Sequence, residues 1–307
     1  MLRYAYLRIL GAIPTLLLVI AIAFLMVHSA PGGPFDAARV LPPEIERNIE
    51  RAYHLDDTLF EQFTSYLQGL WHGDLGPSYR YRDSTVSELI AGALPLSMKL
   101  GALAMLLAVV AGVSAGIIAA LRKNTIIDRM VTGVAMVGIS IPIFVIAPLM
   151  VLVFAVTLGW LPASWAGSGS SDRLLMPVIA LALPQIAYIA RLTRASMINI
   201  MSSDFVRTAR AQGLCTMSII RYHAIKPAML PLLSYMGPAV AGILTGSVVV
   251  EEVFGIPGVG QFFIRGALNR DYTLVLGITV VYAALVIFLN LVVDLLYGYL
   301  DPRIRSR

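Results

Sequence analysis

Charge is scarce in this sequence. Asp, Glu, Lys and Arg supply 13% of its 307 residues, about half the share of an average soluble domain. Cysteine is nearly absent: Cys215 stands alone, which excludes an intrachain disulfide framework and a cysteine-held metal cluster. The four histidines, His28, His54, His72 and His223, are scattered, and none pairs at a metal-ligand spacing. There is no H-E-x-x-H, no G-x-S-x-G and no G-x-x-x-x-G-K-[ST], so zincin, hydrolase-elbow and P-loop chemistry have no foothold here. Acids inside the apolar stretches are rarer still. Asp294 is the one acid well within such a run, where pairing with a basic residue or an interfacial position explains it more simply than an ion relay.

Apolar residues fill the space that charge leaves, at 58%, with a mean hydropathy of +0.80. That combination excludes a disordered chain and an ordinary soluble enzyme, and points to a multi-span membrane protein. Six runs are long enough: Ile9–Val27, Leu100–Leu121, about 130–157, Leu174–Ala190, Pro227–Val250 and Tyr272–Val293. The third is expected to be one helix kinked by Pro142 and Pro148. The fourth is the shortest and holds Pro177 and Pro184. The first run exceeds the apolar core of a signal peptide, and Pro31 would follow a cut at Ala30, so a retained helix is expected.

Six spans put both termini on one side. Taking that side as cytoplasmic gives 14 Lys/Arg in 59 inner residues against 8 in 101 outer ones. This follows the positive-inside rule. It also accounts for the formal charge of +5 without a nucleic-acid partner. Lys99 can snorkel to the outer interface.

The outer segment 31–95 carries five Arg and ten Asp/Glu. Leu55, Leu59, Phe63, Tyr66, Leu67 and Leu70 recur at three and four residues, which predicts an amphipathic helix, and Pro42-Pro43-Glu44 reads as another helix start. The segment reads equally as a cap over the spans or as a docking surface. A second outer feature runs from Glu251 and Glu252 through Phe254, Gly255, Pro257 and Gly258 to Gly260. Its glycines and proline interrupt a helix. Adjacent helical residues diverge by about 100°, so Glu251 and Glu252 make a poor catalytic pair, and a re-entrant or gating loop is expected.

The inner segment 191–226 holds six basic residues. Ser202-Ser203-Asp204 predicts a helix N-cap before Phe205. Arg207 and Arg210 then share a face, Gly213 breaks the pattern, and Ile219, Ile220 and Tyr222 precede Pro227. The expectation is helix, glycine turn, short helix, then membrane. Such a loop can lie on anionic headgroups or serve as a lever docked into a cytoplasmic protein. Two G-x-x-x-G pairs, Gly112/Gly116 and Gly242/Gly246, allow close helix packing, within the chain or with another subunit.

The stretch Phe205-Val206-Arg207-Thr208-Ala209-Arg210-Ala211-Gln212-Gly213-Leu214 resembles the EAA loop of ABC importer permeases. Arg207, Thr208 and Ala209 stand at the E-A-A positions and Gly213 at the glycine. The departure at the first two positions, and the late proline at Pro227, are similar to the peptide and nickel branch. Other segments resemble that branch over nearly the whole chain: Arg8-Ile9-Leu10 through Pro14-Thr15, Ala30-Pro31-Gly32-Gly33-Pro34, Tyr53-His54-Leu55-Asp56, His72-Gly73-Asp74-Leu75-Gly76-Pro77-Ser78, Phe254 to Gly260, Asn269-Arg270-Asp271-Tyr272 and Tyr299-Leu300-Asp301-Pro302-Arg303. Leu41-Pro42-Pro43-Glu44 with 266–272 looks closest to the B-type subunits of oligopeptide systems.

The resemblance implies an all-α type I ABC importer permease with six transmembrane helices and both termini cytoplasmic. It would be a non-catalytic, multi-pass protein of the bacterial inner membrane. It divides the chain into an N-terminal helix (1–29), a periplasmic region (30–95), a five-helix core (96–301) containing the coupling loop 203–227, and a tail (302–307). The implied partners are a second homologous permease, two ABC ATPases that bind ATP and Mg, and a periplasmic peptide-binding protein. The implied coupling residues are Arg207, Thr208, Ala209, Arg210, Gly213, Leu214, Ile219, Ile220 and Arg221, with Ile219 and Ile220 among the apolar anchors for an ATPase cleft. Dipeptides, nickel chelates, glutathione and cell-wall peptides are the runner-up cargoes. A solitary secondary carrier would need ion-coupling charges or inverted repeats, and a membrane enzyme would need catalytic groups at membrane depth. The sequence offers neither.

Overall fold

The computed structural model describes residues 2–29, 56–81, 83–165 and 171–300. The expected helix start at Pro42, the signatures at 30–34 and 53–55, Leu55 and most of the tail motif lie outside them.

The described residues are almost wholly helical. α1 is Leu2–His28 and α2 is Leu59–Trp71. α3, Val86–Leu121, begins well before Leu100 and runs through Pro95. Its 36 residues exceed the ~20 needed to cross a bilayer, so part of the expected outer segment belongs to this rod. α4 (Ile126–Ser140) and α5 (Ile143–Met150, widening into a π-turn over Val151–Thr157) replace the expected single third helix. They meet at 104°. Pro142 is the N-cap of α5, not an interior kink. It lacks an N–H, and it pushes Ile141 into extended backbone (φ −90°, ψ 120°). The pair is one broken span or a re-entrant loop.

α6 is Leu175–Met201. It accepts Pro177 in its first turn and Pro184 within, and it takes in Arg191 and Arg194, so the following inner segment starts later than expected. α7 is Asp204–Ala211 and α8 is Thr216–Ile219. Beyond α8 the helix does not stop. A π-turn over Ile220–Ala224 leads into α9, Ile225–Phe254, and the whole of Thr216–Phe254 passes as one apolar rod. The wide turn just ahead of Pro227 removes the clash that its ring would make with the carbonyl four residues back. α10 is Val259–Leu268 and α11 is Tyr272–Leu300. Among the described residues, five helices are long and apolar enough to cross a membrane, six if the bent pair counts as one.

Two compact units share these helices, one built around Met98–Ile256, the other from Leu7–Ser97 and Pro257–Ile287. In the first, Gly112 and Gly116 let α3 meet α6. A Cβ on Gly116 would lie 2.6 Å from the Ala190 carbonyl, and one on Gly112 would lie 2.8 Å from Ile189. That G-x-x-x-G pair is therefore an internal contact. Asp128, buried on α4, accepts two hydrogen bonds from Arg194 of α6 (Nε 2.5 Å, Nη2 2.8 Å). In the second unit, Leu75, Val86, Ile90, Val259, Leu274 and Ile278 form one core. Ile20, Phe24, Leu276 and Val280 form another, on which Phe63, Tyr66, Leu67 and Leu70 of α2 pack. The expected amphipathic face is thus turned inward, while Leu59 stays exposed. α2 starts where Thr58 and Glu61 build a capping box. Burial pushes the Tyr66 phenol up, beyond the ordinary tyrosine range.

Candidate functional site

The loop after α6 is built by two short-range devices. Ser203 is the N-cap of α7, but its hydroxyl donates back to the Ile200 carbonyl (2.6 Å) rather than capping forward. At the far end, Gly213 takes φ +82°. Its N–H donates to Arg210 (2.9 Å), and that of Leu214 donates to Ala209 (3.2 Å). This is a Schellman closure, with the left-handed residue where glycine is favoured. A Cβ on Gly213 would meet nothing within 4 Å, so the requirement is conformational.

Packing then decides which side chains the loop offers. Ile219 is fully buried against Val206 and Ala209, which fastens α8 to α7. Ile220 is buried with Met197, Ala224 and Ala228, which fastens the rod to α6. Ile219 and Ile220 are therefore not apolar anchors for a partner's cleft. They are this chain's own core, because each repays its burial at once inside the loop. Arg207, Thr208, Arg210, Leu214 and Arg221 are exposed. Beside them lie Phe205, Met217 and Tyr222, none of which is among the coupling residues expected from the sequence. Arg221 sits over the Tyr222 ring, 5.5 Å from its centroid. The Asp204–Arg207 pair (3.4 Å) is exposed on both sides, and such pairs contribute little. The outward surface is thus basic with soft apolar contacts.

The Gly/Pro segment divides between the two units. In the first, α9 ends in a second Schellman closure. Gly255 has φ +63°, its N–H donates to Glu252 (3.2 Å) and that of Ile256 to Glu251 (2.8 Å). The Trp165 N–H donates to the Phe254 carbonyl (2.8 Å). Glu251 is fully buried and Glu252 exposed, so the two carboxylates face different surroundings and do not act as a pair. In the second unit, Pro257 is exposed, Gly258 is the N-cap of α10 and Gly260 is buried. The Val259 N–H, an orphan donor of the first turn, donates to the Ser97 hydroxyl of α3 (2.9 Å).

A further polar centre joins segments about 190 residues apart in the second unit. Asp271, fully buried, accepts from the Ser78 hydroxyl (2.5 Å), the Tyr79 N–H (3.2 Å) and the Leu274 N–H (3.3 Å). Thr273 donates to the Pro77 carbonyl (2.6 Å), and Arg80 Nε to the Asn269 carbonyl (2.9 Å). The motifs at 72–78 and 269–272, read separately in the sequence, meet here. Among the described residues no group of three or more His, Cys, Asp or Glu could hold a metal.

Comparison with known proteins covers nearly the whole chain. Residues 112–306 match the family described as binding-protein-dependent transport system inner membrane component, and residues 1–101 match its N-terminal counterpart. The oligopeptide transport system permease protein OppB of Salmonella typhimurium is 55% identical over 305 residues, 99% of this chain and 100% of that protein. The dipeptide transport system permease protein DppB of Bacillus subtilis is 40% identical over 306 residues, 99% of this chain and 98% of that protein. A solved structure of the MetNI methionine ABC transporter in inward-facing conformations matches in fold, with a TM-score of 0.54 at 18% identity, over 69% of this chain and 96% of that one. With one family covering most of its length and a second covering its start, the chain belongs to the binding-protein-dependent transport system inner membrane components, the permease subunits of ABC importers.

Proposed function

We propose that this chain is one of two permease subunits of an ATP-driven importer that passes oligopeptides from a periplasmic binding protein into the cell. The observation that carries the reading is the end-to-end identity of 55% with a permease named for oligopeptide transport. The dipeptide permease, at 40%, is the weaker guide to cargo. In this reading both termini are cytoplasmic, as the Lys/Arg bias favours. The chain performs no chemistry. ATP and Mg are bound by two partner ATPases, and a homologous permease completes the pathway.

The loop 203–227 is the coupling element. Arg207, Arg210 and Arg221, with Phe205, Leu214, Met217 and Tyr222, meet the ATPase, while Thr208, Ala209, Ile219 and Ile220 hold the loop's shape. α8 is helically continuous with α9. A push delivered at Thr216–Ile219 would therefore be transmitted along one rod without a hinge at Pro227. At the opposite end of that rod, Glu251, Glu252, Phe254, Gly255, Pro257, Gly258 and Gly260 form the periplasmic gate or docking loop. The segment 30–95 helps to receive the binding protein.

The test is purification of the chain from its native membrane in mild detergent, with bound proteins identified by mass spectrometry, followed by reconstitution. Recovery of a second permease and P-loop ATPases, with ATP-dependent oligopeptide uptake that needs the binding protein, is the expected result. Recovery of the chain alone, transporting without ATP, would refute it.

A further inference from the structure

The surface of the first unit is not uniform. α3 exposes Leu103, Leu106, Val110 and Ile118, and α4 and α5 expose Met130, Val134, Phe144 and Leu149. Such faces suit hydrocarbon. α9 differs. Not one of the exposed large apolar side chains among the described residues lies on it. Its exposed positions are Lys226, Pro231, Ser234, Pro238, Thr245 and Glu252. Pro231, Pro238, Thr245 and Glu252 follow each other at seven residues, so they make one stripe along the rod. α6 beside it is similar: past Leu175 it exposes Tyr188, Arg191, Ala195 and Asn199, again one helical face.

The two stripes adjoin at an ordered cluster. The Tyr235 hydroxyl donates to Gln185 Oε1 (2.8 Å), and Tyr235 stacks on Tyr188 with centroids 4.5 Å apart and planes within 10°. The Arg191 guanidinium lies 5.1 Å from the centre of the Tyr188 ring, a cation–π distance. Gly242 makes room for Gln185, since a Cβ there would come within 2.8 Å of its Nε2. Arg194, one turn on, is neutralised by Asp128. Arg191 has no carboxylate partner among the described residues, although it lies on a helix apolar enough to span a membrane. A charged side chain on a span faces water, a partner or a headgroup.

We infer that the adjoining stripes of α6 and α9 are this chain's wall of the substrate pathway, and that Arg191, steadied on Tyr188, receives the C-terminal carboxylate of an extended peptide. Between Lys226 and Glu252 the exposed positions of α9 are only Pro, Ser and Thr, small groups with little side-chain code, which suits cargo of variable sequence. A carboxylate end is the feature such cargoes share, and a guanidinium with free donors matches it. The inference rests on the peptide-importer reading.

The experiment has two arms, both on the complete complex in membranes. First, cysteines at Ser234 and Thr245 are compared with cysteines at Leu106 and Val134 for reaction with a membrane-impermeant charged methanethiosulfonate. The reaction is read site by site by mass spectrometry. The stripe positions should react roughly a hundredfold faster, since charged groups are disfavoured to that order at bilayer depth. Equal rates would overturn the inference, and mean that the stripe is buried against another helix or in lipid. This arm needs no substrate, so it stands or falls apart from the peptide reading, which ATP-driven uptake by the parent complex tests. Second, uptake of a peptide with a free C-terminal carboxylate is measured against its amide. Arg191→Gln should shrink the parent's preference for the free acid by about tenfold, the worth of a charge-assisted hydrogen bond, and Arg191→Lys should keep most of it. An unchanged preference overturns the carboxylate role. So does a loss that is equal for both peptides and follows the anionic lipid content, which would place Arg191 at a headgroup.

Discussion

Gly213 offers the sharpest test of the coupling loop, because its surroundings separate two causes that are usually confounded. A residue with a side chain placed there gains no clash, since nothing lies within 4 Å of its Cβ. What it meets is a backbone held at φ +82°, which costs an L-residue roughly 1–2 kcal/mol, least for Asn and most for a β-branched residue. A relaxed turn would release the bonds from Gly213 to Arg210 and from Leu214 to Ala209, and with them the angle between α7 and α8. Against a folding free energy of about 5–15 kcal/mol, that cost leaves insertion and bulk stability intact. It shifts the equilibrium against the closed turn by roughly five- to thirty-fold. Gly213→Val should therefore reach the membrane at parental levels, yet lose most ATP-dependent peptide uptake. Gly213→Ala should be intermediate, and Gly213→Asn should stay closest to the parent. The assay pairs uptake of a labelled peptide with quantification of the chain in purified membranes. Parental uptake by Gly213→Val, or an Asn variant as impaired as the Val variant, would show that the left-handed turn is not what coupling requires.

Three further outcomes follow from the packing. Asp128→Asn leaves the Arg194 guanidinium without its counter-ion, and breaking a pair of which one member is buried should cost about 3 kcal/mol; thermal denaturation in detergent reads the loss, and Arg194→Gln combined with Asp128→Asn should recover part of it. Asp271→Ala orphans the Ser78 hydroxyl and the Tyr79 and Leu274 N–H groups together, so it should destabilise by several kcal/mol in the same assay; a loss below about 1 kcal/mol would deny Asp271 its central position. Gly116→Leu forces a side chain into a gap where even a Cβ would lie 2.6 Å from the Ala190 carbonyl, so overpacking of about 1–3 kcal/mol should lower the melting temperature, while Gly133→Leu, on an open face of α4, should not.

The sequence reads well wherever one local rule acts without competition. Gly213 and Gly255 were legible as interruptions, and both take left-handed turns that close a helix. Phe63, Tyr66, Leu67 and Leu70 were legible as a face by their spacing, and they pack as one. Prolines misled in both directions, because a proline's effect depends on what precedes it. Pro142 breaks the third span through 104°, where a kink was expected. Pro95, Pro184 and Pro238 sit inside continuous helices, and Pro227 is absorbed by the wider turn ahead of it. No periodicity distinguishes these cases.

The site was legible as a stretch of chain and not as a surface. Val206, Ala209, Ile219 and Ile220 were visible as apolar positions, and nothing local says whether a short helix spends them on its neighbour or on a partner. Here they are spent internally, which leaves Phe205, Met217 and Tyr222 facing outward. The Asp271 centre was hidden for another reason. Its ligands come from residues 78–79 and 274, and a single sequence carries no measure of which distant motifs meet. The same limit hid the cluster of Gln185, Tyr188, Arg191 and Tyr235. Each residue alone is an unremarkable exception to an apolar run. Only the antiparallel register of α6 against α9, in which Leu181 meets Gly246, Gln185 meets Gly242 and Tyr188 meets Tyr235, turns four exceptions into one polar face. In a chain with so little charge to distribute, where the polar exceptions converge is the strongest guide to where water and cargo pass.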